Sequence, residues 1–248
     1  MAAAVPAPGR EATAAAHPSP SAVLEQDFAL LEGAIEGGAW EVDGDELSLF
    51  VSDGSEGDGP AGALLVTEGN SSSSAELVHR PCEGKGARIA RLRLRTICEE
   101  LDVDSLGMFT VCLAFDDDFE EASLLAVSIR RPIPPPGEHE EAGSPPRPVE
   151  LRFNGEIVKD DVGALPVLVE LDAELNWESG ARSIHLKHRT LPVRLGEPGV
   201  PAPAGVPYSE ASSGFYTTSV QFDCVRAICL RASGSSKVRL LSLHCDTA

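Results

Sequence analysis

The sequence contains no apolar run of the roughly 20 residues that a membrane-spanning helix requires. It holds no C-x-x-C pair, which removes the common zinc and thioredoxin-type frameworks. There is no G-x-x-x-x-G-K-S/T phosphate loop and no G-x-S-x-G nucleophile elbow. Cations are scarce: 20 Lys and Arg stand against 39 Asp and Glu, a net charge of −19. Phosphate binding is driven by cations, so this balance excludes a generic nucleic-acid sponge. It leaves open a few bases gathered on one surface, or charge that serves solubility alone.

What is present suits a globular protein. The chain has 248 residues, 42% of them hydrophobic, enough for one or two domains with a real core. Residues 1–20 are rich in Ala and Pro and lack the basic and apolar segments of a secretory signal. A disordered tail is expected there, with an organelle transit peptide as the alternative. Six cysteines stand at 82, 98, 112, 224, 229 and 245. Cys98, Cys112 and Cys229 lie inside apolar runs and read as small buried hydrophobes. Free thiols in a reducing, intracellular compartment are the expectation.

No constellation of catalytic or metal-binding residues emerges. His185 and His188 are three apart, and in a strand they point to opposite faces. Cys224, Cys229, His244 and Cys245 could supply four ligands, but their spacing and apolar neighbours favour packing. The acidic loop at 53–59 has Asp58 and Leu64 where a calcium loop needs Gly and Glu. The expectation is therefore no enzyme, no metal and no cofactor, and a function in binding partners.

The periodicity predicts an α+β fold of two similar halves. Leu24, Phe28, Leu31 and Ile35 share a helical face over 21–35. Segments 39–42 and 46–51 flank Asp43-Gly44 as a hairpin. Strands are predicted at 63–67, 88–95, 108–115 and 123–129; Arg91, Arg93 and Arg95 alternate with Leu92 and Leu94. Thr96-Ile97-Cys98-Glu99 fits a capping box and opens a short helix to about 103. Residues 132–148 carry seven prolines and read as a linker. The second half predicts a strand at 151–158, a helix marked by Leu168, Leu171 and Leu175, a hairpin over 183–187 and 191–195, and strands at 215–222 and 237–243. Asp223 can cap a helix in which Val225, Ile228, Cys229 and Ala232 share one face. Arg226 and Arg231 then lie on the opposite face, followed by Lys237; they face phosphate or are an ordinary solvated surface.

This order of elements resembles the DNA sliding clamps, the PCNA-like fold. Within them "RLRLRTICEELDVDSLGMFTVCLAF" and "TTSVQFDCVRAICLRASGSSKVRLLSLHC" look most like the Rad-one subunit of the nine-one-one checkpoint clamp. The resemblance covers about residues 22–245 and has no diagnostic short motif. It implies a tail at 1–20, clamp-like domains at 21–131 and 149–248, and the linker at 132–148. It further implies a non-catalytic subunit of a nuclear heterotrimer that encircles double-stranded DNA and signals damage. The implied partners are two other clamp subunits, DNA in a central channel and a clamp loader, with no membrane. Arg226, Arg231 and Lys237 would contact DNA. The alternative is a cytoplasmic β-rich adaptor or assembly factor that binds protein only.

Overall fold

A computed structural model describes residues 22–31, 38–44, 49–52, 59–70, 73–116, 124–133, 148–177, 183–195, 205–214 and 223–248. Their elements are strands and one 3-10 turn. In chain order the strands are β1 (Ala22–Asp27), β2 (Glu41–Gly44), β3 (Leu49–Ser52), β4 (Gly62–Thr67), β5 (Ser74–His79), β6 (Ile89–Leu101), β7 (Met108–Ala114) and β8 (Leu124–Arg130). They continue with β9 (Glu150–Phe153), β10 (Glu156–Lys159), β11 (Val167–Asn176), β12 (Ser183–Pro192), β13 (Ser209–Gly214), β14 (Ala227–Ser233) and β15 (Ser236–Thr247).

Two antiparallel sheets form a sandwich. The large, eight-stranded sheet runs β13-β12-β11-β6-β15-β4-β3, and β1 joins it on β15. The smaller, seven-stranded sheet runs β10-β9-β8-β7-β14-β5-β2. One buried apolar cluster draws on both: Leu92, Leu94, Leu171 and Leu243 from the large sheet, Phe109, Val111, Leu151 and Leu230 from the smaller. Opposed inner faces of alternating strands produce such a core.

This architecture replaces the α+β clamp fold of two similar domains. β15 inserts between β6 and β4, and β14 between β7 and β5, so late strands complete sheets begun by early ones. Most described residues of the segments expected as helices are extended chain. Residues 22–27 are β1, paired with β15, and Phe28–Leu30 is a 3-10 turn capped by the Asp27 side chain. "TICEEL" continues the 13-residue strand β6. Leu168, Leu171 and Leu175 lie on β11, where Val169, Leu171, Ala173 and Leu175 enter the core at a period of two. Ile228, Cys229 and Ala232 lie on β14. The physical reason is shared: Val, Ile, Leu and Cys fit either periodicity, and pairing with a distant strand satisfies the backbone as fully as a helix does.

Two expected hairpins also dissolve. β2 pairs with β5 and β3 with β4, in different sheets. Residues 183–192 are a single strand, β12, paired along its length with β11. A tight hairpin joins β9 and β10, turning at Asn154-Gly155 with both φ positive (48° and 82°). The expected tail at 1–20, the strand at 215–222 and most of the linker fall outside the described residues.

Candidate ligand-binding groove

The outward face of the large sheet is built by strict alternation. Leu92 and Leu94 of β6 point into the core, so Arg91, Arg93 and Arg95 point out. On β11 the outward positions are Glu170, Asp172 and Glu174, directly opposite those arginines in register. On β12 they are His185, Lys187 and Arg189, opposite the same carboxylates. Like-signed residues along a strand are thus neutralised across strands.

The resulting lattice is closely bonded. Arg91 donates to both carboxylate oxygens of Asp172, at 2.7 and 2.5 Å. This hydrogen bonding holds the Arg91 pKa above its ordinary value. Arg95 Nε donates to Glu170 Oε1 at 2.9 Å, and Arg189 donates to the other oxygen of Glu170. Tyr208 lies 4.4 Å from the Arg189 guanidinium, ring centre to carbon. Lys187 pairs with Glu174 at 3.1 Å.

At one end this face is interrupted. β15 pairs β4 through residues 236–240 and β1 through residues 242–246, and its register with β6 slips between Leu240 and Ser242. Leu240 and Leu243 are both in the core, so two consecutive residues, Leu241 and Ser242, turn outward at a bulge. Where the neighbouring strand changes, a groove of about 830 Å³ opens. Its walls are Glu25 and Asp27 of β1, Pro60 and Ala61 before β4, and Arg93 and Arg95 of β6; Ser242 and His244 form its floor. Ser242 lies between Asp27 and Arg95 in register, and His244 between Glu25 and Arg93.

The groove carries donors and acceptors in fixed positions. Arg93 Nη2 donates to Asp246 Oδ2 at 3.1 Å. His244 Nε2 lies 2.7 Å from Asp246 Oδ1. A carboxylate only accepts, so Nε2 is the donor in this contact. The Arg93 and Arg95 side chains remain 46% and 41% exposed, with further N–H groups beyond those bonded to carboxylate.

The Pro60 wall is pinned from beneath. Arg239 and Glu99 form an almost fully buried ion pair, Nε to Oε1 at 2.7 Å. Arg239 Nη1 donates to the Pro60 carbonyl at 3.2 Å. Lys237 reaches the second Glu99 oxygen at 3.1 Å.

The residues expected to meet DNA are scattered. Arg226 precedes β14 and donates to the Lys85 carbonyl at 2.8 Å. Arg231 lies on β14 of the smaller sheet and is bonded to Glu76 at 2.9 and 2.7 Å. Lys237 is on the large sheet, on Glu99. The helix that was to bring the first two together is a strand and its approach. His185 and His188 do take opposite faces of β12: His185 bonds Ser212 Oγ at 2.8 Å, while His188 is buried. Among the described residues no group of three or more His, Cys, Asp and Glu could hold a metal ion. Ser242, His244 and Asp246 were missed as a set. Their signal was the i, i+2, i+4 spacing, which carries meaning only once the segment is known to be a strand.

No protein-family model matches the sequence, and no curated protein matches it by sequence. Solved structures of similar fold include a carbohydrate esterase from the Shiga toxin-encoding bacteriophage phi24B. Its TM-score is 0.52 at 12% identity, over 92% of this chain and 99% of that one. Lectin II from Ulex europaeus gives 0.45 at 10% identity, over 91% and 99%. The metal-free carbohydrate recognition domain of Emp46p gives 0.46 at 10% identity, over 90% and 94%. At such identities the phage protein shares the fold alone. Together with the two-sheet topology, it overturns the sliding-clamp resemblance. The checkpoint-clamp function, the clamp subunits, the DNA channel and the clamp loader fall with it. The fold is a β-sandwich.

Proposed function

We propose that this protein is a ligand-binding β-sandwich module and that the groove beside β1 holds a polyhydroxylated ligand, a saccharide. The observation that carries this reading is the lining. Carboxylates (Glu25, Asp27), half-exposed guanidinium groups (Arg93, Arg95), a hydroxyl (Ser242) and an imidazole (His244) converge on one open groove. Carboxylate and guanidinium each address two neighbouring hydroxyls at once, as acceptor and donor respectively. Their anchoring on paired strands fixes them before a ligand arrives, which lowers the entropic cost of binding. The phage protein that shares the fold is described as a carbohydrate esterase, which makes saccharides the first class to test.

The full chain should be screened on an array of neutral and acidic glycans, with calorimetry on the hits. Glu25→Ala and Arg93→Gln should each weaken binding by about tenfold or more, the worth of one charge-assisted hydrogen bond. Absence of binding to every glycan up to about 10 mM, where affinity is only a few kcal/mol, would refute the saccharide reading.

The protein-only adaptor remains as a second reading, favoured by one feature. Leu30 and Phe50, 71% and 49% exposed, lie on adjoining elements at the β3 edge of the large sheet. Exposed apolar side chains at a sheet edge suit strand or peptide addition.

A further inference from the structure

We propose that the floor of this groove is also a site of ester hydrolysis, with Ser242 as nucleophile, His244 as its base and Asp246 as the group that orients the imidazole. The inference rests on the groove being the ligand site and adds a reaction to it.

The three residues occupy alternate positions of one strand, and their neighbours Leu243 and Cys245 are in the core, so all three face outward in a line. The His244–Asp246 hydrogen bond, Nε2 to Oδ1 at 2.7 Å, makes Nε2 the donor, so that in the neutral imidazole Nδ1 is the acceptor. Asp246 is itself held by Arg93 at 3.1 Å, which keeps the carboxylate in place. Base and orienting group are thus assembled on the apo protein, as the general logic of activated nucleophiles requires. Ser242 is two residues from His244, roughly 6.6 Å along the strand. In the reaction a Ser242 rotamer or one intervening water has to carry the proton across that span.

The bulge gives Ser242 its place. Without the extra residue at Leu241, alternation from Leu240 would still turn the next position outward, but under the continuous β15–β4 pairing. The slip delivers the hydroxyl where β4 has ended and β1 has just begun, at the floor of the groove. Bulges recur beside active sites because they re-aim single side chains in this way. Arg95 lies directly across from Ser242, and Arg93 from His244. Their remaining N–H groups can face the charge that develops on an ester oxygen.

The step balances. Ser242 Oγ bonds to the ester carbonyl carbon while its proton passes to His244 Nδ1. The carbonyl electron pair moves to oxygen, opposite Arg95. Collapse restores the carbonyl, breaks the bond to the alkoxy oxygen and returns the proton from His244 to that oxygen, releasing an alcohol. Water then adds to the acyl-serine carbonyl, giving its proton to His244; release of the acid returns that proton to Ser242. The net reaction is ester plus water to acid plus alcohol, with no redox change. Glu25 and Asp27 line the wall beside this line. They disfavour anionic substrates and favour departure of the carboxylate product, so the substrate class is a neutral ester.

The test uses the full chain with a fluorophosphonate probe and with 4-nitrophenyl acetate. Peptide mass spectrometry should find the phosphonyl adduct on Ser242. Ser242→Ala and His244→Gln should abolish labelling and lower ester turnover by at least about 100-fold. Asp246→Asn, which permits the wrong tautomer, should lower the rate and change the pH profile, and Asp246→Glu should restore part of both. Unchanged melting curves confirm that the variants are folded. No adduct on Ser242, or turnover indifferent to Ser242→Ala, overturns the proposal. Glycan binding by the wild type is measured alongside: if it holds while Ser242 stays unlabelled, the reaction is refuted and the binding module stands.

Discussion

The pair Glu99–Arg239 offers the sharpest perturbation, because it joins stability to the groove. Both side chains are nearly solvent-free, 1% and 2% exposed. Their charges have lost their hydration and are compensated by a 2.7 Å ion pair, by Lys237 on the second Glu99 oxygen, and by the Pro60 carbonyl on Arg239. Glu99→Ala takes the 2.7 Å carboxylate partner away from a buried guanidinium. The expected cost is about 3–5 kcal/mol, a large part of a domain's total of roughly 5–15 kcal/mol. Replacing both partners, Glu99→Leu with Arg239→Met, removes the desolvated charges together and should cost far less than the two single changes summed. Urea titration reads this directly. With a slope of roughly 1–3 kcal/mol/M, the single change should lower the midpoint by about 1 M or more. The same change frees the Pro60 wall, so ligand binding should weaken in Glu99→Ala even well below the unfolding transition. A cost under about 1 kcal/mol for Glu99→Ala, or strict additivity in the double variant, would show that the pair is solvated and the reasoning wrong.

Three further outcomes are expected. Burial holds the His79 and His188 imidazoles below the ordinary value of 6.5, with the Lys159 charge adding at His188. The unfolded chain therefore takes up these protons first, so the stability they contribute is full above about pH 6.5 and is lost as the pH falls through the lower folded-state values. The melting temperature should drop between about pH 7.5 and pH 5.5, and His188→Gln should flatten that slope; a flat wild-type profile contradicts the assignment. Phe109→Ala should cost about 3–5 kcal/mol in a urea titration, since Phe109 is fully buried between the sheets, and a cost near zero would mean the core closes over the gap. Gly234 has φ +65°, and a Cβ there would meet the Ser105 carbonyl at 2.4 Å. Gly234→Ala should therefore destabilise by more than about 1 kcal/mol, and a neutral melting temperature would show that the turn relaxes.

The sequence by itself determined the faces of individual strands. Arg91-Leu92-Arg93-Leu94-Arg95 can only be a half-exposed strand, because its charges and leucines alternate with the period of the pleat. Phe109, Val111 and Leu113 announced their buried face in the same way. Cys98, Cys112 and Cys229 sat in apolar runs and are buried. Tertiary structure alone decided the rest. Leu24, Phe28 and Leu31 satisfy a helix on paper, yet Leu24 lies on a strand that pairs with β15, more than two hundred residues away, and Phe28 and Leu31 follow it through a tight turn into the core. Thr96 and Glu99 spell a capping box, but Thr96 Oγ1 donates to the Arg239 carbonyl and Glu99 meets the Arg239 side chain. Local signals of this kind are worth about a kilocalorie each, and pairing across a central strand outweighs them. The groove was illegible for the same reason. Ser242, His244 and Asp246 have meaning as neighbours of Arg95, Arg93 and Glu25, and that register is set by contacts between segments about 150 and more than 200 residues apart, which no local pattern records.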